Sequence, residues 1–393
     1  MKFRRIRLNR TAARLERAFT IWDLREIAKR RTPIGPFDYT DGAADSESSL
    51  NRARIAYQEI EFVPAILRDV SSVDTSRRVF DQVFQLPFGI SPTGFTRLMQ
   101  TEGEIAGARA AERFGIPFSL STLGTTSIED VCAAAPNGSN WFQLYMWKDR
   151  DRSIELIERA KRAGVKTLHL TVDAPVAGHR LRDSYNGLTI PPTLSMKTIL
   201  NAIPRPAWWF NFVSTPPVIF ASMSSWNGTV AQLLDTMFDP TMTFEDFKWI
   251  RKTWDGNLII KGVQNLEDAE IAAELGADAV LLSNHGGRQL DRAPVPLHLL
   301  AKIKREFHKD YEIHIDTGIT HGLDILAAIA HGARFAYIGR AYLYGLMAGG
   351  QAGVERALTI LQGQIIRNMK LLGVTSLDEL EPRHARLMQD PRQ

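Results

Sequence analysis

The stretch Ser283-Asn284-His285-Gly286-Gly287-Arg288-Gln289-Leu290-Asp291 sets an imidazole and a guanidinium three positions apart, with two glycines between them. A neutral imidazole is a competent base near physiological pH, and the planar fork of an arginine suits a carboxylate. Gly286 and Gly287 let the backbone turn sharply and come close to a ligand. The plainer reading of His285 is a ring satisfied by the turn that follows it. Asp173, at the end of a different apolar run, could hold the second ring nitrogen and stabilise the imidazolium formed in a reaction. Lys261 ends a further run and has two readings, a Schiff-base nucleophile or a fixed positive charge beside a cofactor.

Such groups need a scaffold that presents many strand ends on one side. Eight short apolar runs, each closed by Gly, Pro or a polar residue, recur along the chain: Leu86–Ile90, Phe118–Thr122, Trp141–Tyr145, Thr167–Asp173, Leu258–Gly262, Ala279–Asn284, Glu312–Asp316 and Phe335–Gly339. Helical spacing between them predicts helices such as Gly103–Phe114, Ser153–Ala163, Leu266–Leu275 and Gly322–His331. Repeated βα units of this kind predict an α/β protein, a closed (β/α)8 TIM barrel. An open, doubly wound sheet is the alternative, and the lack of a GxGxxG turn after the first run counts against it.

Barrel enzymes place their chemistry at the C-terminal ends of the strands. Polar residues gather there in nearly every unit: Thr93-Gly94, Ser121-Thr122, Gln143 with Tyr145, Thr171 with Asp173, Lys261, Asn284-His285, Asp316-Thr317-Gly318 and Gly339-Arg340. One such residue is usually a helix cap or a turn former, but a set in phase is not explained that way. Gly318 and Gly339-Arg340 follow the last two runs, where backbone N–H groups of barrels commonly hold a phosphate, so a phosphorylated cofactor or substrate is expected.

The expected organisation is a basic N-terminal extension over 1–20, a single barrel domain over 21–385 and a C-terminal tail over 386–393. A helix from Thr20 to Arg31 precedes the barrel as a lid or plug. The connection from Ala174 to Met242 is far longer than the others, and 175–242 reads as a functional insertion after the fourth strand. It carries Pro191-Pro192, Trp208-Trp209-Phe210, Pro216-Pro217 and Trp226.

The chain has 393 residues, 44% of them hydrophobic, enough for a large core. Lys and Arg number 48 against 44 acidic residues, and this net charge of +4 gives no argument for nucleic acid. The excess is local: Lys2, Arg4, Arg5, Arg7, Arg10, Arg14 and Arg17 crowd the start, without the apolar stretch of a secretory signal. The lone Cys132 rules out an internal disulfide and fits a reducing cytoplasm. No HxH, HExxH or Cys/His cluster is present, so no metal is expected, and no apolar run is long enough to span a membrane.

SNHGGRQLD, WFQLY, LTVDAP followed by Arg180, Lys261-Gly262, DTGI and IGRAYLYGL together resemble the FMN-dependent α-hydroxy acid dehydrogenase and oxidase family, in the expected order from about Trp22 to near the C-terminus. Within it the chain is most similar to bacterial respiratory L-lactate dehydrogenases, with (S)-mandelate dehydrogenase a close relative. The resemblance turns the phosphorylated ligand into FMN. It implies His285 as the base with Asp173 as its partner, Arg180 and Arg288 as the grip on the substrate carboxylate, and Tyr39 and Tyr145 as further substrate contacts. Lys261 would stand beside the flavin ring, Thr93 and Gly94 against it, and Ser121, Gln143 and Thr171 would hydrogen-bond it. Asp316, Gly318, Gly339 and Arg340 would serve the ribityl and phosphate end.

The family's activity, as the resemblance implies it here, is oxidation of an L-2-hydroxy acid, with electrons passed to quinone or another membrane acceptor. An oxidase that releases peroxide is the alternative. Similar proteins are tetramers, and membrane-bound relatives dock on lipid through the segment matching 183–228. Trp208, Trp209, Phe210 and Trp226, with Lys197 and Arg205, suit that role, which would place the protein on the cytoplasmic face of the cell membrane. The competing reading is a lid whose aromatics pack on its own barrel. Three positions depart from the family pattern: Thr320, followed by His321, stands where most relatives have a phosphate-binding arginine, Gly94 where oxidases commonly have alanine, and Leu123 where plant-type glycolate oxidases have tryptophan.

Overall fold

The computed structural model describes residues 9–187, 196–216, 218, 220–221, 237–306 and 311–388. Lys2, Arg4, Arg5, Arg7, Pro191, Pro192, Pro217, Trp226 and the side chain of Lys197 lie outside the described residues.

Eight strands form the barrel: β1 (Phe88–Thr93), β2 (Phe118–Ser121), β3 (Asn140–Tyr145), β4 (Thr167–Thr171), β5 (Asn257–Val263), β6 (Ala279–Leu282), β7 (Glu312–Ile315) and β8 (Phe335–Ile338). They close in the order β1 to β8, with β8 pairing back to β1 and every pair parallel. The closed TIM barrel read from the sequence is therefore the observed fold. Most strands stop one or two residues before the apolar run suggests, because Asp173, Asn284 and Asp316 turn out of the ladder toward the C-terminal mouth. Helices such as Gly103–Phe114, Arg150–Arg162, Leu266–Glu274 and Gly322–Ala330 pack outside.

Alternation along the strands sorts two cores. Outward-facing strand residues join the helices in the larger one. The inner one holds Trp141, Ile259, Leu281, Phe335 and Tyr337, together with Val79 and Phe84 from a hairpin of Arg77–Val79 and Gln82–Phe84. Phe84 meets Trp141 and Phe335 near the starts of their strands, with ring centroids 5.9 and 5.6 Å apart, so the hairpin plugs the N-terminal end. Functional groups are left the opposite end.

The N-terminal region is more structured than a loose extension from residue 10 onward. Arg10–Leu15 is a helix capped by Asn9, and Arg14 donates to the Ala348 carbonyl oxygen. The expected helix from Thr20 is present as Ile21–Arg31, with a capping box between Thr20 and Asp23. Two further helices, Ile34–Asp41 and Ser48–Gln58, lead to the barrel. Ile21–Arg31 packs on the long C-terminal helix Arg340–Leu372, which kinks at Gly349 and Gly350. Ala385–Leu387 pairs antiparallel with Ile60–Phe62, so Arg386 and Leu387, the first residues of the expected tail, lie in a strand.

Among the described residues, the insertion after β4 supplies the helices Leu181–Asn186, Met196–Ala202 and Pro206–Ser214. Its start is tied to Ile34–Asp41: Arg182 pairs with Asp41 and Glu47 at 3.1 and 2.5 Å, and Asn186 donates to Asp38. On Pro206–Ser214, Trp208 and Phe212 are one turn apart, stack at 5.0 Å and lie against the barrel, and the Trp208 indole donates to the Leu98 carbonyl oxygen. Trp209, Phe210 and Val213 face outward. No helix among the described residues is long and apolar enough to cross a membrane.

Candidate active site

The C-terminal mouth holds a cavity that collects nearly every residue singled out by the sequence. Tyr39, Thr93, Gly94, Ser121, Gln143, Tyr145, Thr171, Arg180, Lys261, His285, Arg288, Asp316, Gly318, Gly339 and Arg340 all line it. Asp173 lies behind His285 instead, accepting from or sharing a proton with its Nδ1 at 2.9 Å. Burial alone would raise the Asp173 carboxyl, but the charge and hydrogen bond of His285, with Lys261 nearby, hold it below the usual carboxylate range. An ionised Asp173 then accepts from Nδ1–H and orients the ring.

His285 has its own backbone device. His285, Gly286 and Gly287 have φ of 58°, 66° and 75°, a left-handed run that a histidine enters only at a cost of about 1 kcal/mol or more. Gly287 also passes close to Leu50 of the helix Ser48–Gln58, where an added Cβ would meet the Leu50 nitrogen at 2.8 Å. This turn aims Nε2 into the cavity, 3.3 Å from the Tyr145 hydroxyl, with the two rings nearly parallel. Burial and the neighbouring Asp173 push the Tyr145 phenol well above its ordinary range, so it remains a hydrogen-bond donor at neutral pH.

Two like charges flank this pair. The guanidinium carbons of Arg180 and Arg288 lie 5.6 and 4.5 Å from the Tyr39 ring centroid, and Arg288 donates to the Tyr39 carbonyl oxygen. Burial and then the repulsion of Arg180 pull the Arg288 pKa down. Arg180 keeps a buried Nε without a partner. Crowded, incompletely satisfied cations of this kind form a receptor for an anion.

Beneath them, Lys261 Nζ donates to Ser283 Oγ at 2.9 Å and pairs with Asp316 at 3.1 Å. Gln143 accepts from Ser121 through Oε1 at 3.0 Å, which leaves its Nε2 unpartnered, and Thr171 Oγ1 and Ser91 Oγ are also buried without partners. Unsatisfied donors on a cavity floor call for a ligand with polar edges.

Some contributors were not singled out beforehand. Ser283 holds both Lys261 and the His285 backbone nitrogen. Gln289 donates to the carbonyl oxygens of Asp173 and Val176 and accepts from Gly178, which pins the loop carrying Asp173. Both belong to the SNHGGRQLD stretch, so their signal was proximity to His285. Phe238, from the far end of the insertion, reaches the cavity and meets Tyr145 edge-on at 5.4 Å. Nothing in its local sequence marks it.

Comparison with known proteins agrees with this geometry. The family model for FMN-dependent dehydrogenases matches residues 28–387. The chain belongs to the FMN-dependent dehydrogenase family. It is 58% identical over 384 residues to a Mycobacterium tuberculosis protein provisionally named an L-lactate dehydrogenase, covering 98% of this chain and 93% of that one. A Vibrio cholerae L-lactate dehydrogenase is 38% identical over 365 residues, 91% of this chain and 96% of its own. The crystal structure of the monotopic membrane protein (S)-mandelate dehydrogenase superposes with a TM-score of 0.90 at 35% identity, covering 94% of this chain and 99% of that one.

FMN is thus the cofactor of this flavoprotein, and the cavity fits it. The free donors of Gln143 and Thr171 suit the polar edge of a flavin, and Lys261 adds fixed positive charge to the same floor. That arrangement favours the electrostatic reading of Lys261 over the nucleophile. Among the described residues, no cluster of three or more His, Cys, Asp or Glu side chains could hold a metal ion.

Proposed function

We propose that the protein oxidises an L-2-hydroxy acid of the L-lactate type to the 2-oxo acid and delivers the electrons to quinone or another membrane acceptor. The observation that carries this reading is the His285–Asp173 couple, with Tyr145 on its free nitrogen, set beside the crowded Arg180 and Arg288. Arg180 and Arg288 bind the substrate carboxylate, and Tyr39 contacts the same end. The substrate hydroxyl then lies by Tyr145 and His285 Nε2. His285 takes the proton released in the oxidation, and Asp173 stabilises the imidazolium. Bound FMN supplies the two-electron acceptor chemistry. Lys261 would set a fixed positive charge beside the flavin ring, and Thr93, Gly94, Ser121, Gln143 and Thr171 would hold it. Asp316, Gly318, Gly339 and Arg340 serve the ribityl and phosphate end, Gly339 and Arg340 at the start of the helix Arg340–Leu372.

The membrane acceptor and a place on the cytoplasmic face of the membrane are supported by the outward Trp209, Phe210 and Val213 and by the description of the mandelate dehydrogenase as monotopic. Trp208 supports the opposite, lid-like reading for its own side chain, because it packs inward. A homotetramer is part of the same proposal, by likeness to the family.

The test is anaerobic mixing of the yellow protein with L-lactate, L-mandelate, glycolate and longer L-2-hydroxy acids. Rapid loss of the flavin band with one L-acid and not its D-form is the expected result. A flavin that none of them reduces would sink the reading. Stoichiometric peroxide on admission of air, with no transfer to a quinone, would make the protein an oxidase.

A further inference from the structure

The phosphate end of the cavity has a charge deficit that a distant part of the chain can fill. Thr320 stands where the family resemblance places an arginine, and its N–H and hydroxyl turn to Asp324, at 2.8 and 3.5 Å. His321 does not replace that arginine. It caps the helix Gly322–Ala330, its Nδ1 accepting from the Leu323 nitrogen at 3.0 Å, and it does not line the cavity. Arg340 is buried there, yet its guanidinium donates to three backbone carbonyl oxygens, those of Thr40, Gly286 and Gly42, at 2.9, 2.9 and 2.7 Å. Three of its five N–H donors are thus committed to the backbone, which leaves two for a phosphate.

Arg54 lines the same cavity as Gly318, Thr320 and Gly339 but comes from the helix Ser48–Gln58, before the barrel begins. Its Nη2 is buried and has no partner, and among the described residues no carboxylate pairs with it. The side chain is not loose: its guanidinium carbon sits 5.0 Å from the Trp22 ring centroid. Its helix is locked to the active-site turn, because Asp291 accepts from the backbone nitrogens of Ser46 and Ser49 and Gly287 packs on Leu50. Burial lowers the Arg340 pKa to about 10, and repulsion from Arg54 contributes to that lowering, so the two cations share one region. A half-buried guanidinium with a buried, unused donor, held by an aromatic ring in a cavity that takes a phosphorylated cofactor, has an obvious counter-charge.

We propose that Arg54 is a second side-chain cation for the FMN phosphate in this chain, joining Arg340 and taking the role that Thr320 leaves open, with Trp22 as its positioning residue. The inference rests on FMN being the cofactor. The helix Ser48–Gln58 then acts as one jaw of the phosphate site and the N-terminus of Arg340–Leu372 as the other.

The test is fluorescence titration of apoprotein with FMN and with riboflavin, which has the same ring but no phosphate. Wild type should favour FMN, and Arg54→Met should weaken FMN binding by roughly 10- to 100-fold while changing riboflavin binding by less than about twofold. Arg54→Lys should fall between them, and Thr320→Arg added to Arg54→Met should restore much of the lost preference. An Arg54→Met protein with the wild-type ratio of FMN to riboflavin affinity overturns the proposal. So does an equal loss of both affinities, since that marks a structural role. Wild type that binds neither flavin would sink the cofactor reading and this assignment with it.

Discussion

The role proposed for His285 rests on neighbours that are fixed before substrate arrives. Its Nδ1 is committed to Asp173, its backbone nitrogen to Ser283, and its φ of 58° is imposed by the turn that follows. Replacing Asp173 with Asn removes the charge and leaves the shape. The rate of flavin reduction in stopped-flow mixing should drop by about 10²- to 10⁴-fold, with the oxidised flavin spectrum unchanged. A rate within a few-fold of wild type would remove Asp173 from the mechanism. Arg288→Lys keeps a positive charge but loses the planar fork beside Tyr39. Its kcat/KM should fall by about 10- to 100-fold, chiefly through KM, because the lost contacts are to the carboxylate in ground and transition states alike. A fall confined to kcat would place Arg288 at the reacting carbon instead.

At the scale of elements, the helix Gly322–Ala330 begins at a buried carboxylate. Asp324 accepts from the backbone nitrogens of Thr320 and His321 at 2.8 and 2.9 Å, yet burial pushes its pKa up to about 6. An unfolded aspartate titrates near 3.9, so the folded state binds this proton more tightly than the unfolded state does. Stability from this group is therefore present at low pH and is lost as pH rises from about 4 through 6. Asp324→Asn, which keeps an acceptor oxygen without the charge, should be more stable than wild type at pH 7.5 by about 1–3 kcal/mol in urea denaturation. The gap should close near pH 4. A gap independent of pH would show that the carboxylate is not strained by its burial. The hairpin plug makes a different forecast. Phe84→Ala removes a ring from the closed end of the barrel and should cost about 3–5 kcal/mol in the same assay. The rate of flavin reduction should stay near wild type, because the plug is remote from the mouth.

For the whole molecule, the candidate active site and the proposed membrane-facing residues fall on separable surfaces. The cavity opens at the C-terminal end of the barrel, while Trp209 and Phe210 project from an insertion helix whose other face, through Trp208 and Phe212, holds it to the barrel. Trp209→Ser combined with Phe210→Ser should abolish co-sedimentation with vesicles containing anionic phospholipid, leaving anaerobic flavin reduction intact. Undiminished sedimentation would overturn the proposed membrane contact through this helix. The pre-barrel helices, the insertion and the C-terminal helix converge on the mouth through Arg182, Asp41 and Arg340, so the site is assembled from regions far apart in the chain.

The amino-acid sequence alone pointed to the barrel and its polarity, since short apolar runs alternating with helical spacing have few other closed solutions, and polar residues in phase mark the open end. It also pointed to His285, Arg288 and Lys261 as candidates, because strand ends and the turns after them are local facts, and the structure brings all three to one cavity. Phe238 and Arg54 were not legible in this way, because each reaches the cavity from an element with no strand-end signature. Their placement follows from how the insertion folds back over the mouth and how Ser48–Gln58 docks on the turn at Gly287. The same limit applies to the aromatics of Pro206–Ser214, which read as a lipid-docking element with a lid packed on the barrel as the alternative. Only packing against the barrel divided them, Trp208 and Phe212 inward and Trp209 and Phe210 outward, because sequence records which side chains are apolar while tertiary contact decides which of them are covered.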